Sequence, residues 1–198
     1  VAKELWPILF NGDGYSEEWR QEAERRGLLN LPTTMEALPH LVDEKNRDLF
    51  DRYGVLTPRE LESRYHILLE QYFMTVNIEG ETAEYMAQTQ ILPAAVRYLT
   101  DLLQAVDAAR EAGVKPEGVL RTARKVNDLV NRLTDALEAL AEQNMELGGD
   151  TIMAKAEHMR DNIIPAMQAV RDAVDPLERL VPDDLWPIPI YRDMLFVK

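Results

Sequence analysis

Three histidines, at positions 40, 66 and 158, are the first residues to test for chemistry, because imidazole serves both proton transfer and metal binding near neutral pH. A carboxylate-bridged di-metal site in a helical bundle needs Glu three residues ahead of His on two helices. The residues in those places are Ala37, Ser63 and Lys155, which rules that arrangement out. Glu62 and His66 are spaced i, i+4, and Glu70 extends the row along one helix face. One imidazole between exposed carboxylates reads as a solvated face. Asn11, Asp13 and Glu22 fall at positions one, three and twelve of a calcium loop. Ser16 replaces the glycine that position six requires, however, and Tyr15 replaces the third oxygen ligand. No glycine-rich phosphate loop, GxSxG elbow or HExxH pair occurs. The chain has no cysteine, so disulfides, thiolate metal sites and cysteine nucleophiles are excluded. Met145, Met153, Met159 and Met167 lie in or near helical stripes and read as core filling. The expected site is therefore empty of assignments: no catalytic, no cofactor-binding and no metal residue.

Composition narrows the partners. A formal net charge of −13 argues against duplex nucleic acid and anionic membranes, both of which select clustered Lys and Arg. Apolar residues make up 46% of the chain, enough for a true core. No apolar run approaches the roughly 20 residues of a membrane span. The segment Val1 to Phe10 lacks the basic start and long apolar stretch of a signal peptide, and cytoplasm is the expected compartment. Because Val1 is not Met and leads at once into a strand-like stretch, the expectation is a start inside a larger polypeptide.

The elements that would position any site are helices. Leu5 to Phe10 reads as a short edge strand or an extended arm, with Pro7 limiting it to an edge. After the Asn11 to Gly14 turn, Ser16 caps a helix expected to run to Arg26 and stop at Gly27. Leu31 to Thr34 is an extended link into a short helix from Met35 to Leu38 or beyond. Asp43 then introduces a helix over Glu44 to Arg52, ended by Gly54. From Thr57 to Gly113 the pattern predicts one long helix, opened by a Thr57/Glu60 capping box, with Leu61, Tyr65, Leu68, Tyr72, Val96, Leu99, Leu103 and Val106 inward. Gly80 softens it, and Pro93 is expected to kink it near Thr89 to Pro93.

A second helix is expected from Pro116 to Leu147. Its coiled-coil-like seam is Val119, Ala123, Val126, Val130, Leu133, Leu137, Leu140 and Leu147, with Asn144 interrupting. A third runs from Thr151 to Val174, with Ile152, Ala156, Met159, Ile163, Val170 and Val174 on one face and a kink at Pro165. Gln90-Ile91-Leu92-Pro93-Ala94 and Asn162-Ile163-Ile164-Pro165-Ala166 echo one another, which reads either as paired kinks side by side or as chance. The expected fold class is all-α: a long kinked helix and two further long helices in an antiparallel bundle. Short N-terminal elements precede it, and an extended Pro/aromatic strap at 182–198 follows, with Trp186, Tyr191 and Phe196 anchored on the protein's own body. The expected divisions are 1–56, 57–181 and 182–198.

Several strings together carry a resemblance. Asn11 to Trp19, Leu31-Pro32-Thr33-Thr34 with Glu36 to Pro39, and Tyr53 to Thr57 running into Ser63-Arg64-Tyr65 are similar to the carboxyl-terminal part of type III glutamine synthetases. So are Leu69 to Tyr72, Thr75 to Glu79, Gln90 to Ala94, and the closing Leu185 to Pro189 with Tyr191. The match follows the family's order along essentially the whole chain. It implies that residues about 28–75 and 186–197 are the ending shared with ordinary glutamine synthetase catalytic domains. Residues from about 80 to 180 would then be the extra helical domain of the type III enzymes. Gly80 stands where the family is expected to have Ala.

The resemblance further implies a parent ligase that condenses glutamate and ammonia to glutamine with ATP and Mg²⁺ or Mn²⁺, as a large stacked-ring homo-oligomer. Its metal, nucleotide and glutamate residues would lie upstream, and none transfers to a position here. The chain's own expected role is structural and oligomer-supporting, without ligase activity, and its expected partners are the remainder of the synthetase and neighbouring subunits. Two alternatives stay open: a regulatory protein-docking helical module, and an unrelated stand-alone helical adaptor.

Overall fold

The computed structural model describes residues 8–189 and 194–195. Among them the fold is all-α, with no strand. Helices α1 (Glu17–Arg25), α2 (Thr34–Leu41) and α3 (Glu44–Arg52) are short, and α4 (Pro58–Met86), α5 (Leu92–Glu111) and α6 (Glu117–Asn144) are long. Helices α7 (Ile152–His158) and α8 (Ile164–Glu178) complete the set. The chain divides into two compact units with the boundary between Tyr65 and His66.

In the first unit, local sequence sets the helix ends. The Ser16 hydroxyl accepts from the Trp19 N–H at 3.2 Å and so caps α1, while Gly27 takes the left-handed conformation that ends it. Thr33 and Glu36 form a full capping box on α2, and Thr57 and Glu60 form another on α4. Ile8 to Phe10 forms no strand; the carbonyls of Ile8 and Leu9 instead accept from the Arg26 guanidinium, each at 3.1 Å. The rest of the expected strand or arm, Leu5 to Pro7, lies outside the described residues, as do Tyr191 and Phe196 of the strap.

In the second unit α6 is the central rod, and its seam is its most apolar face. Ala123 is buried, and Val126, Leu129, Leu133, Leu137 and Leu140 form one core with Ala87, Ile91 and Ala95 on the one hand and Val170, Ala173 and Leu177 on the other. Direction follows from which residues meet. Asn144 at the end of α6 bonds Glu84, and Leu137 lies near Leu92, so α5 runs opposite to α6. Gln143 meets His158, and Leu129 lies near Pro176, so α7 and α8 also run opposite to α6. Trp186 of the strap, only 7% exposed, closes the same core, as expected.

The helix over Thr57 to Gly113 is interrupted where the kink was expected. Ala87–Ile91 is a π-helical turn, and Met159–Ile163 is a second one inside the third rod. In each the residue before the proline reaches back five residues: Leu92 N–H to the Ala87 carbonyl, and Ile164 N–H to the Met159 carbonyl. Pro93 and Pro165 carry no N–H, and in a regular helix each ring would clash with the carbonyl four residues back, which a widened turn avoids. The echoed sequences thus share one backbone solution. The echoes meet in part: Ile91 and Ile164 line one groove with Met167, Val170 and Val174, whereas Met159 and Ile163 of the second turn pack on Val76, about three turns earlier along α4.

The expected faces need three corrections. Ahead of the wide turn Leu68 is exposed and Leu69 buried; beyond it Val96 and Leu103 are exposed while Ala94 and Ala95 are buried, because the wide turn rotates the face that follows and alanines let the rods approach. Helix α6 ends at Asn144, so Leu147 lies beyond it and exposed, and Met145 is 86% exposed rather than core filling. Leu129, absent from the expected seam, is buried in it.

Candidate functional site

The residues with the most site-like placement surround the carboxyl end of α6. A helix leaves its last carbonyls without partners, and the negative end of its dipole attracts N–H donors. His158, 8% exposed, meets that need: its Nε2 lies 3.0 Å from the Gln143 carbonyl oxygen. A carbonyl only accepts, so Nε2 carries the proton and Nδ1 keeps a lone pair, which accepts from the Asn162 amide at 3.1 Å. Both ring nitrogens are engaged in hydrogen bonds.

Beside it Asn144 donates to Glu84 Oε2 at 2.6 Å, while its own Oδ1 is buried with no partner among the described residues. That oxygen faces Gly80, where an added Cβ would stand 2.9 Å from it and 2.8 Å from Ile163 Cγ2. Gly148 is equally confined: it has a positive φ, and a Cβ there would fall 2.3 Å from His158 Cβ. The chain turns through Gly148 and Gly149 into α7, whose N-cap Thr151 accepts from the Ala154 N–H at 3.1 Å. The result is a polar joint that fixes where α6 ends and how α7 returns. Nearby, burial pushes the Tyr72 hydroxyl above its ordinary value, with Arg160 opposing the shift, and Lys155 Nζ stands 5.5 Å over the Phe73 ring.

The histidines weighed at the outset are scattered. His40 Nδ1 lies 2.8 Å from Asp43 Oδ2 in an exposed i, i+3 pair, and Glu62 is ion-paired with Arg47. Of the calcium-loop positions, Asp13 Oδ1 accepts from the Tyr15 N–H at 2.9 Å. Glu22 is clamped by Arg25 and Arg26 at 2.6 Å each, and these hydrogen bonds, Arg25 first, push its carboxyl down to about 2. Among the described residues no group of three His, Asp or Glu is placed to hold a metal ion. Also among them, no helix is long and apolar enough to cross a membrane. The joint at His158 was missed by sequence reasoning. Its only signal was the pair His158 and Asn162 at i, i+4, which cannot reveal a carbonyl donated by another helix.

A protein-family model described as the glutamine synthetase C-terminal domain matches residues 1–110. The type-3 glutamine synthetase of Dictyostelium discoideum is 34% identical over 200 residues, covering 96% of this chain and 27% of that protein. A glutamine synthetase of Bacteroides fragilis is 35% identical, covering 97% of the chain and 27% of the relative. One from Butyrivibrio fibrisolvens is 31% identical, covering 96% and 27%. The chain therefore spans about a quarter of the length of the curated relatives it matches.

Proposed function

Because this chain belongs to the glutamine synthetase C-terminal domain family, we propose that it is the helical scaffold of a type III enzyme, supporting fold and assembly without performing the reaction. The parent reaction is the ATP-dependent condensation of glutamate and ammonia, with Mg²⁺ or Mn²⁺, in a cytoplasmic homo-oligomer. The partners of this chain are the remainder of the synthetase and neighbouring subunits. Residues from about 80 to 180 are the domain particular to type III.

The observation that carries the reading is the use of the second unit's polar groups. Its buried histidine gives one nitrogen to the Gln143 carbonyl at the end of α6 and the other to the Asn162 amide. Phosphoryl transfer needs metal carboxylates and a phosphate clamp, and we assign those parts to the rest of the parent enzyme.

The test is an assay of the isolated chain with glutamate, ATP, ammonium and Mg²⁺, paired with sedimentation of the full-length enzyme. No glutamine above background is expected from the chain. In the full-length enzyme, Leu133→Asp is expected to reduce assembled particles and activity together. Turnover by the chain alone, or full assembly with a disrupted seam, would overturn the reading.

A further inference from the structure

We propose that the cleft between the first half of α6 and the end of α8 binds a small oxyanion carried on an apolar body, of the aryl phosphate or aryl carboxylate class. The cleft encloses about 440 Å³ and is lined by Lys125, Asp128, Leu129, Arg132, Pro176, Arg179 and Leu180. That volume lies within the range of small-ligand sites, which combine an apolar lining with a few placed polar groups.

Charge makes this cleft unlike the rest of the chain. The protein carries −13, yet Glu117 to Arg132 holds the four cations Arg121, Arg124, Lys125 and Arg132 against only Glu117 and Asp128. Lys125 and Arg132, seven residues apart, share one face of α6, and Arg179 joins them from the carboxyl cap of α8. Arg25, Arg47 and Arg171, by contrast, are paired with Glu22, Glu62 and Asp175. Among the described residues no carboxylate lies within ion-pair distance of Lys125, Arg132 or Arg179. Two guanidinium groups suit planar or tetrahedral oxyanions, which they bind through paired N–H donors.

Leu129, Pro176 and Leu180 supply the floor for an apolar body, and Asp128 restricts how much negative charge is accepted. An inorganic anion would use the cations and leave the floor wet. A neutral aromatic would use the floor and leave the cations idle. The site thus selects a ligand with both features. This inference is independent of the scaffold reading, since it concerns a surface of the second unit and no reaction.

The experiment titrates the full 198-residue chain by calorimetry at low salt with phenyl phosphate, inorganic phosphate and phenol. Saturable binding of phenyl phosphate is expected, at least tenfold tighter than inorganic phosphate, with none by phenol and with weakening as salt rises. The K125Q/R132Q/R179Q variant should lose at least tenfold in affinity. Arg179→Gln alone should lose about threefold, and Arg124→Gln, which lies outside the lining, should match the parent. Absence of saturation, equal affinity for inorganic phosphate, or undiminished binding by the triple or the Arg179 variant would each overturn the proposal.

Discussion

The two π-helical turns share a sequence pattern and a backbone, and differ in everything around them. Ala87–Ile91 carries no ionisable side chain and makes its tertiary contacts through Ala87 and Ile91; Gln90 makes no hydrogen bond among the described residues. Met159–Ile163 begins next to His158, holds the Asn162 amide against that ring, and carries the Arg160–Asp161 ion pair. The first turn is bedded in hydrocarbon, and the second adds a polar link, from Asn162 to His158, whose other nitrogen reaches the Gln143 carbonyl of α6. A proline rule therefore sets the local shape of both, while neighbours decide whether the turn is merely accommodated or tied down.

The largest test removes the centre of the core on which the first turn rests. Leu133 is fully buried at the middle of the α6 seam. Leu133→Asp buries an unpaired charge and should cost about 4 kcal/mol, read as a large drop in the thermal midpoint by circular dichroism. An unchanged melt would mean that α6 does not face a core.

Gly80→Ala should separate the turns. In an exposed helix this change gains about 1 kcal/mol. Here the new Cβ meets Ile163 Cγ2, a stiff β-branched group in the second turn, so a net loss of about 1–2 kcal/mol is expected by denaturant titration. Stabilisation would show that the second turn yields as easily as the first.

Asn162→Ala against Gln90→Ala compares the same echo position in its two settings. The former leaves His158 Nδ1 without its donor and should cost about 1 kcal/mol. The latter should stay within about 0.5 kcal/mol of the parent. Equal losses would erase the distinction between bedded and tied.

The smallest effect is a titration. The hydrogen bond from Arg160 holds the Asp161 carboxyl below the usual carboxylate range. A depressed folded value contributes stability above the ordinary aspartate range and loses it as pH falls through the folded value. Carboxyl chemical shifts should place Asp161 below an ordinary aspartate, and Arg160→Gln should return it there. The first turn offers nothing to titrate.

Helix ends and the central seam were legible because their causes are local. Ser16, Thr33 and Thr57 cap within three residues, Gly27, Gly54 and Gly113 supply the positive φ that ends helices, and α6 repeats its apolar face from Ala123 to Leu140. Both prolines announced an irregularity at the right place, and the resemblance to type III glutamine synthetases rested on strings a reader can quote. Tertiary structure alone decided the rest. The phase of α5 beyond the wide turn depends on one extra residue in that turn, so Val96 and Leu103 face water although their spacing looks inward. The end of α6 is fixed by His158 reaching a carbonyl from the following rod, and Gly80 is required by Asn144 and Ile163, distant in sequence. The cations of the α6–α8 cleft likewise meet only once two rods pack in opposite directions. Periodicity and capping act within a few residues along the chain and can be read there, whereas joints and clefts are made by residues that only packing brings together.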